Sequence, residues 1–311
     1  MTTTVYELSD PEHPLEYTGS LLASNTTPLQ SWKLLDTKEH GEMLFINDQH
    51  QSSKDDEYLY HETFVHSLLK GIASPKKVLI LGGSEGCVAR EVFRYKTIER
   101  VVQVDWDASL LDYFKSDGAS WNNRVYDDPR LEIIVANAFE WIQSTTEVFD
   151  AICIDLFDPS YSDLSILELF LVSCKPILSP RGGLSINAGI IKKGSTTPAC
   201  SLATFLRNTF VEPSYHRVAV KVDVPSFKGT WCFLQLVPRI WSNRIHDTEY
   251  LIDLPWFTKE RLLKSMQWSS EYPPELQVYW LSNSTEQVVC KKLRPYFDPV
   301  SNRLLSEFYG C

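Results

Sequence analysis

The sequence predicts an α/β protein with a doubly wound, mainly parallel sheet and a small N-terminal β domain. Near-continuous apolar runs recur from residue 77 onward, and helical stretches separate them. Such runs are typical of strands that are buried on both faces of a parallel sheet. The first 50 residues differ, because their apolar runs are short and joined by turn residues, which is typical of antiparallel strands.

The N-terminal segment, residues 1–55, is expected to form the β domain. The runs WKLLDT and EMLFIND are separated by KEHG, which predicts a hairpin. The stretch that follows, residues 55–75, has apolar residues at helical spacing, with Gly71 and Pro75 beyond them. A glycine followed by a proline is typical of a helix C-terminus, so we predict a helix that ends near Gly71.

The alternation of strands and helices defines a central domain, residues 56–245. The runs HRVAVKVDV and TWCFLQLV predict two antiparallel strands that close one edge of its sheet. In the C-terminal extension, residues 246–311, only TKERLLKSMQW predicts a helix. Five central strands are predicted, at residues 78–81, 101–104, 131–135, 151–154 and 184–187.

Composition limits the classes of protein to which the chain can belong. The 311 residues carry a formal net charge of −10 and the pI is about 5.2, which disfavours a nucleic-acid partner and suits a cationic ligand. The seven cysteines form no C-x-x-C pair, so we expect a reducing, cytoplasmic location and no structural zinc. We expect neither a signal peptide nor a membrane span, because basic and apolar leader regions and long apolar runs are missing.

A glycine turn, GGSEG, follows the first central strand and opens a helix. Turns of this kind usually hold phosphate, because backbone N–H groups and the helix N-terminus attract anions. Here Glu85 would repel a pyrophosphate, and Leu81 occupies the first position of the dinucleotide pattern G-x-G-x-x-G, which disfavours an NAD-dependent oxidoreductase. Glu85 therefore favours an amine ligand, unless it only complements the positive end of the helix.

Acidic residues at the ends of two other strands extend this interpretation. Asp105 lies 19 residues after Gly86, where an acidic side chain commonly binds ribose hydroxyls, although a turn-forming role is an alternative. A nucleoside with a positive group, such as an S-adenosyl compound, would satisfy both carboxylates. Asp155 and Asp158 end a strand that should lie beside the first one, so we expect them to face the same crevice as Glu85.

Two carboxylates at one strand end can bind or deprotonate an amine, although one of them could instead form an Asx-type turn before Pro159. The two histidines of the preceding helix, His61 and His66, are five residues apart and have no matching ligands in the sequence. We therefore expect no metal site there.

Several motifs together resemble the polyamine aminopropyltransferases, the spermidine and spermine synthases. The family's G-G-G-[DE]-G appears as GGSEG, and its D-E-[FY]-x-Y-x-E appears as DEYLYHE, preceded by the family's glutamine at Gln51. The D-x-x-D-P signature appears as DLFDP, DDPR precedes the third strand, and VPSFKGTW looks like the family's V-P-[ST]-[YF] segment. The similarity runs from about Trp32 to Val237 and implies a Rossmann-like sheet of the class I methyltransferase type.

The resemblance implies transfer of an aminopropyl group from decarboxylated S-adenosylmethionine to a polyamine amine, with methylthioadenosine as the leaving product. The donor is a co-substrate, so neither a bound cofactor nor a metal is implied. The resemblance also implies a homodimer or homotetramer. The residues implied to bind the donor are Gln51, Gly82, Gly83, Glu85, Asp105, Asn137 and Ala138.

The same resemblance implies a catalytic pair and an acceptor site. Tyr60 and Asp155 would orient the attacking amine, and Asp155 would accept its proton. Glu85, Leu156 and Phe227 look most like the thermospermine synthase branch, which implies that spermidine is a better acceptor than putrescine, although transfer to putrescine stays open. The residues implied to bind the acceptor are His61, Glu85, Asp155, Asp158, Phe227 and Trp231.

The chain departs from the family pattern modestly at Ser84 and Cys87 and more strongly at two other places. Asn137-Ala138 stands where the family has D-[AG], and SYSDLS, residues 160–165, replaces a G-P-A loop that covers the acceptor. Two alternatives stay open, and these departures support the second of them. One is an S-adenosylmethionine-dependent amine N-methyltransferase, and the other is a non-catalytic homologue that binds polyamines or nucleosides.

Overall fold

The computed structural model describes residues 2–7, 15–210, 215–238 and 256–277. Two sheets dominate these residues: an antiparallel sheet of five strands and a mixed sheet of seven strands. The α/β fold class and the small N-terminal β sheet predicted from the sequence are therefore confirmed. The division into three domains stays a prediction.

The N-terminal sheet consists of five strands that pair in chain order. The predicted hairpin joins its third and fourth strands, with Thr37 paired to Gly41 next to the turn. One face of this sheet is apolar, because Trp32, Leu34 and Leu44 pack together with Phe114 of the larger domain. The strands are β1 (Thr2–Glu7), β2 (Leu15–Thr26), β3 (Ser31–Thr37), β4 (Gly41–Ile46) and β5 (Gln49–Ser53).

The larger sheet has the strand order β11-β12-β10-β9-β6-β7-β8. The β9 strand lies beside β6, as the doubly wound pattern predicts, and the antiparallel pair β11–β12 closes one edge. The strands β6, β7 and β9 are almost fully buried, in agreement with their continuous apolar runs, whereas the edge strand β8 is partly exposed. The strands are β6 (Lys77–Gly82), β7 (Arg100–Asp105), β8 (Leu131–Val135), β9 (Phe149–Asp155), β10 (Leu178–Ile191), β11 (Tyr215–Val224) and β12 (Gly229–Pro238).

Helices connect the strands of the larger sheet and cover it. The helix predicted to end near Gly71 is α1, and the helix predicted at residues 258–268 is the shorter α7. Among the described helices, none is both long and apolar enough to cross a membrane. The helices are α1 (Glu57–Leu69), α2 (Cys87–Val92), α3 (Ala108–Lys115), α4 (Ala138–Ser144), α5 (Leu164–Cys174), α6 (Pro198–Thr209), α7 (Lys259–Ser265) and α8 (Pro274–Gln277).

The β10 strand is much longer than the four residues predicted for it. It pairs in parallel with β9 from Leu178 and antiparallel with β12 as far as Ile191. The residues Gly182 and Gly183 lie within it, where the sequence alone indicates a turn rather than a strand. Close packing explains them, because a Cβ at Gly182 would lie 2.7 Å from the backbone oxygen of Asp150.

The two sheets are joined by hydrogen bonds to a short 3₁₀ turn, Pro225–Phe227, between β11 and β12. Asp56 accepts hydrogen bonds from the backbone N–H and the hydroxyl of Ser226, each at 2.7 Å. The phenol of Tyr17, on β2, donates to the backbone oxygen of Ser226 at 3.2 Å. The turn that carries Phe227 is thus held by residues from the N-terminal part of the chain.

Candidate functional site

The candidate site is a pocket at the carboxyl ends of β6, β7 and β9. The order of the sheet reverses between β6 and β9, and open α/β sheets bind ligands at such a point. Residues from the N-terminal sheet and from the turn before β12 complete the walls. The pocket is lined by Gln30, Leu44, Ile46, Gln51, Tyr60, His61, Gly82, Gly83, Ser84, Glu85, Val104, Asp105, Trp106, Asn137, Ala138, Phe139, Asp155, Leu156, Phe157, Asp158, Asn187 and Phe227.

The glycine turn after β6 brings its backbone directly against the end of β9. Gly82 and Gly83 have φ values of 87° and 67°, a region that favours glycine. A Cβ at Gly82 would lie 2.0 Å from the backbone oxygen of Asp155, so no larger residue fits there. The side chain of Gln103 donates to the backbone oxygens of Gly82 and Gly83 at 3.0 and 2.7 Å. The turn is therefore rigidly placed beside Asp155.

Glu85, at the end of this turn, is buried and contributes its side chain to the pocket wall. Its backbone oxygen accepts a hydrogen bond from the side chain of Asn122 at 2.9 Å. The neighbouring backbone oxygen of Ser84 accepts one from the phenol of Tyr126 at 2.7 Å. These hydrogen bonds fix the backbone of the turn that carries the Glu85 carboxylate. Asp155 and Asp158 line the same pocket, which confirms the prediction that they face the same crevice as Glu85.

His61 links Glu85 to a chain of buried charges. Its Nε2 lies 2.9 Å from Oε1 of Glu85, and its Nδ1 lies 2.7 Å from Oε2 of Glu57. Burial alone would lower the pKa of His61, but the hydrogen bonds to both carboxylates outweigh it and raise the pKa to about 10. The ring is therefore an imidazolium that donates from both nitrogens, and Arg90 pairs with Glu57 at 2.8 Å behind it.

The expectation that the helix histidines have no matching ligands is wrong. Nε2 of His66 lies 3.0 Å from Oε2 of Glu91, outside the pocket. Ligand atoms of His61, Glu85 and Asp155 lie within 4.8 Å of one another, an arrangement that could hold a metal ion. Within it, the imidazolium of His61 forms an ion pair with Glu85, and Tyr60 donates a hydrogen bond to Asp155. Glu85, Asp155 and Glu91 lie on other elements than the histidines, so the sequence could not reveal these partners. Glu57 lies one turn before His61 on α1, a spacing that the sequence does show.

Tyr60 and Asp155 form a hydrogen-bonded pair in the centre of the pocket. The phenol donates to Oδ1 of Asp155 at 2.7 Å. Burial and the nearby Glu85 raise the pKa of Asp155 to about 7, although the charge of His61 and the hydrogen bond from Tyr60 oppose the rise. Burial and the negative charge of Asp155 raise the pKa of Tyr60, so the phenol stays protonated. Asp155 can therefore exchange a proton near neutral pH.

Asp158 lies further along the same wall, open to the pocket. Its Oδ1 accepts a hydrogen bond from Nδ2 of Asn187 at 2.8 Å. Desolvation by the surrounding protein raises the pKa of Asp158 to about 6, and the hydrogen bond from Asn187 opposes this rise. Phe227 lines the pocket, whereas Trp231 does not: it is buried behind Phe227 and stacks on it, with ring centroids 4.4 Å apart.

The predicted donor residues line the other half of the pocket. Asp105 is buried, which raises its pKa to about 6, and its Oδ1 accepts a hydrogen bond from the backbone N–H of Asp107 at 3.0 Å. Asn137 caps α4, because its Oδ1 accepts a hydrogen bond from the backbone N–H of Phe139 at 2.9 Å. Gln51 lines the pocket from β5. The side-chain oxygen of Asn137 therefore already accepts a hydrogen bond from the protein itself.

Gln30 and Trp106 are among the lining residues that sequence reasoning does not predict. Nε2 of Gln30 donates to Asp107 at 2.8 Å, and Nε1 of Trp106 donates to Oε1 of Gln30 at 3.2 Å. The Trp106 ring is 47% exposed at the rim of the pocket. Only the position of Trp106, directly after Asp105, could have drawn attention to it, and nothing in the sequence points to Gln30.

The SYSDLS segment that replaces the family's loop does not line the pocket. It forms a compact turn, in which Oδ2 of Asp163 accepts hydrogen bonds from the backbone N–H and the hydroxyl of Ser160 at 2.9 and 2.5 Å. This turn leads into α5, which begins at Leu164. The substitution therefore does not narrow the pocket.

The larger sheet, with its glycine turn after β6, has a Rossmann-like fold of the class I methyltransferase type. A spermidine synthase from Thermotoga maritima matches the structure with a TM-score of 0.73 at 18% identity, covering 89% of this chain and 95% of that one. A spermidine synthase in complex with the transition state analogue AdoDATO matches with a TM-score of 0.76 at 20% identity, with the same coverage. At these identities, the two matches show the fold alone.

Sequence relatives identify the family. A polyamine aminopropyltransferase of Sulfurisphaera tokodaii is 34% identical over 231 residues, which cover 71% of this chain and 74% of the relative. One from Sulfolobus acidocaldarius is 33% identical over 219 residues, which cover 69% and 70%. The family model for the spermine/spermidine synthase domain matches residues 57–194. The chain belongs to the spermidine/spermine synthase family of polyamine aminopropyltransferases, and it is a transferase.

Proposed function

We propose that the protein transfers the aminopropyl group of decarboxylated S-adenosylmethionine to an amine of a polyamine and releases methylthioadenosine. One observation carries this proposal: Glu85, Asp155 and Asp158 line one pocket, and Glu85 does so from the turn that holds pyrophosphate in dinucleotide-binding sheets. Three carboxylates favour cationic ligands at both the donor and the acceptor side.

The donor half suits a nucleoside that carries a sulfonium and an ammonium group. Asp105 and Gln51 line the pocket and would accept hydrogen bonds from the ribose hydroxyls, and Asn137 and Ala138 would line the adenine site. The Asn137 side-chain oxygen caps α4, so its amide N–H groups are the ones left for the base. Glu85 would pair with the terminal ammonium of the aminopropyl chain.

The reaction needs a proton acceptor. A free alkyl ammonium has a pKa of about 10.4, so roughly one amine in 10³ is neutral at pH 7. The lone pair of the attacking nitrogen forms a bond to the carbon next to sulfur, the carbon–sulfur bond breaks, and its electron pair stays on sulfur. Asp155 takes the proton that the nitrogen loses, and Tyr60 holds the carboxylate in place with its hydrogen bond.

The acceptor half continues from Asp155 to Asp158 along the wall that Phe227 completes. A carboxylate would hold the far ammonium of the acceptor, and the Phe227 ring would contact its methylene groups. We propose spermidine as the preferred acceptor, which would yield thermospermine or spermine, and putrescine as the weaker one. The longer acceptor is supported by the pocket lining, to which the SYSDLS turn contributes no residue.

The protein is proposed to be cytoplasmic and to assemble as a homodimer or homotetramer. The described cysteines, at positions 87, 153, 174, 200 and 232, are all free and buried, which supports a reducing compartment. Size-exclusion chromatography with light scattering would measure the number of copies.

A product assay tests the function directly. The protein is incubated with decarboxylated S-adenosylmethionine and either putrescine, spermidine or spermine, and the products are identified by mass spectrometry. We expect methylthioadenosine and an amine that is heavier by one aminopropyl unit. Parallel reactions with S-adenosylmethionine serve as the control. Methylated amines in that arm would support the N-methyltransferase instead, and binding without products in either arm would support the non-catalytic homologue.

A further inference from the structure

Asn187, on β10, holds three hydrogen bonds at the acceptor end of the pocket. Its Oδ1 accepts from Nε1 of Trp231 at 3.0 Å and from the backbone N–H of Gly189 at 2.9 Å. Its Nδ2 donates to Oδ1 of Asp158 at 2.8 Å. The side chain is only 4% exposed, although it contributes to the pocket wall.

The orientation of this amide is fixed by the chemistry of its partners. The indole N–H of Trp231 and the backbone N–H of Gly189 are donors without acceptor capacity, so the carbonyl oxygen must face them. The NH₂ group consequently faces Asp158 and can only donate. Oδ1 of Asp158 must therefore be an unprotonated acceptor, and Oδ2 is left for a ligand in the pocket.

A break in the β-sheet creates this arrangement. The pairing of β10 with β12 shifts between Asn187 and Ile190, which is a β-bulge. Such bulges re-aim side chains and occur next to active sites. Gly189 lies in the bulge with φ of 77°, and a Cβ there would meet the Pro159 ring at 3.3 Å. The bulge thus packs against Pro159, the residue that follows Asp158. It also brings the Gly189 N–H within hydrogen-bond distance of the Asn187 side chain.

We propose that Asn187 is a positioning residue. Its side chain orients Asp158 toward the far ammonium of the acceptor amine, and it connects Asp158 to Trp231 and, through it, to Phe227 in the acceptor half of the pocket. The inference rests on the proposed function. It follows from the shared partners, because Trp231 stacks on Phe227 while its indole N–H is bonded to Asn187. One amide therefore links the anionic end of the groove to the ring that contacts the methylene chain.

This role predicts a specific pattern of kinetic changes. Removing the amide leaves Asp158 without its donor, so the acceptor binds more weakly, while the reacting centre at Asp155 is unchanged. In Asn187→Ala we expect the KM for spermidine to rise about tenfold or more, with kcat and the KM for the donor within about twofold.

Asn187→Asp is the sharper variant, because it keeps the oxygen for Trp231 and Gly189 but places a carboxylate against Asp158. Two adjacent carboxylates cannot both ionise easily, so acceptor binding should weaken further and recover only at higher pH. A matched control is Gln235→Leu, a buried polar residue of β12 that bonds Ser67 and Ser185 and does not line the pocket. It should lower the Tm and leave the KM for spermidine unchanged.

A double-mutant cycle separates positioning from general destabilisation. In an Asp158→Ala background, Asn187→Ala should cost little additional acceptor affinity, because the group that it aims is gone. Additive losses, or an unchanged KM in both Asn187 variants, would overturn the inference. Calorimetric titration of spermidine into the methylthioadenosine complex of each variant gives the same comparison without turnover. If the wild-type protein binds spermidine but transfers nothing to it, the proposed function fails and the cycle still tests the coupling.

Discussion

The phenol of Tyr60 and the carboxylate of Asp155 are joined by a hydrogen bond of 2.7 Å, although they are 95 residues apart in the chain. Tyr60 reaches this position from α1 and Asp155 from the end of β9. The bond fixes one oxygen of the carboxylate and leaves the other for a substrate. It also keeps Asp155 from being shifted still further toward the protonated form, because the phenol stabilises the charged carboxylate.

Asp155→Asn is expected to reduce kcat by about 10²–10⁴ while donor binding persists. Asparagine preserves the shape and can still accept the hydrogen bond from Tyr60, but it is a far weaker base. Stopped-assay kinetics and calorimetry with methylthioadenosine measure the two effects separately. Near-wild-type kcat in this variant would mean that the proton goes to another group.

The pH dependence of kcat/KM should show an acid limb near pH 7. Asp155 has its pKa raised to about 7, so it is protonated below this pH and cannot accept the amine proton; activity rises as the pH increases through 7. In Tyr60→Phe the hydrogen bond that lowers this pKa is lost, and the limb should move to higher pH. A limb that stays in place in Tyr60→Phe would show that another group controls it.

Decarboxylated S-adenosylmethionine should bind at least about tenfold more tightly than S-adenosylmethionine, a difference of about 1.4 kcal/mol. The buried Glu85 would attract the ammonium of both compounds but repel the additional carboxylate of the second. Calorimetry measures both affinities, and Glu85→Gln should narrow the gap. Equal or tighter binding of the carboxylated compound would favour methyl transfer.

Spermidine should have a higher kcat/KM than putrescine in competition experiments. It adds an aminopropyl unit of three methylenes, each worth about 0.8 kcal/mol when buried, and Phe227 offers an apolar surface for them. Its additional positive charge also suits the acidic pocket. Phe227→Ala should reduce the preference, and a kcat/KM for putrescine at or above that for spermidine in the wild type would contradict the prediction.

Much of the fold follows from the sequence, because buried parallel strands produce continuous apolar runs at regular intervals. The position of β9 beside β6 follows from the doubly wound order, and with it the meeting of Glu85, Asp155 and Asp158. The full length of β10 does not follow, because its glycines are read as turn residues when the close packing that requires them is unknown.

The parts of the site that sequence reasoning misses depend on contacts between distant segments. Gln30 enters the pocket from the N-terminal sheet, and Asn187 enters it through a bulge. The contact of His61 with Glu85 depends on how α1 lies against the glycine turn. The motif that contains Trp231 predicts a lining residue, but side-chain direction places Phe227 in front of it. None of these contacts leaves a periodic or compositional signal.

The hydrogen bonds of Tyr17 and Asp56 to Ser226 have a consequence for protein engineering. They hold the turn that bears Phe227 against the N-terminal part of the chain, so the wall proposed to contact the amine depends on both parts of the chain. A chimaera that exchanges only the larger sheet between two relatives would separate this turn from its supports. Amine preference should therefore be inherited only when the N-terminal sheet and the β11–β12 hairpin are exchanged together.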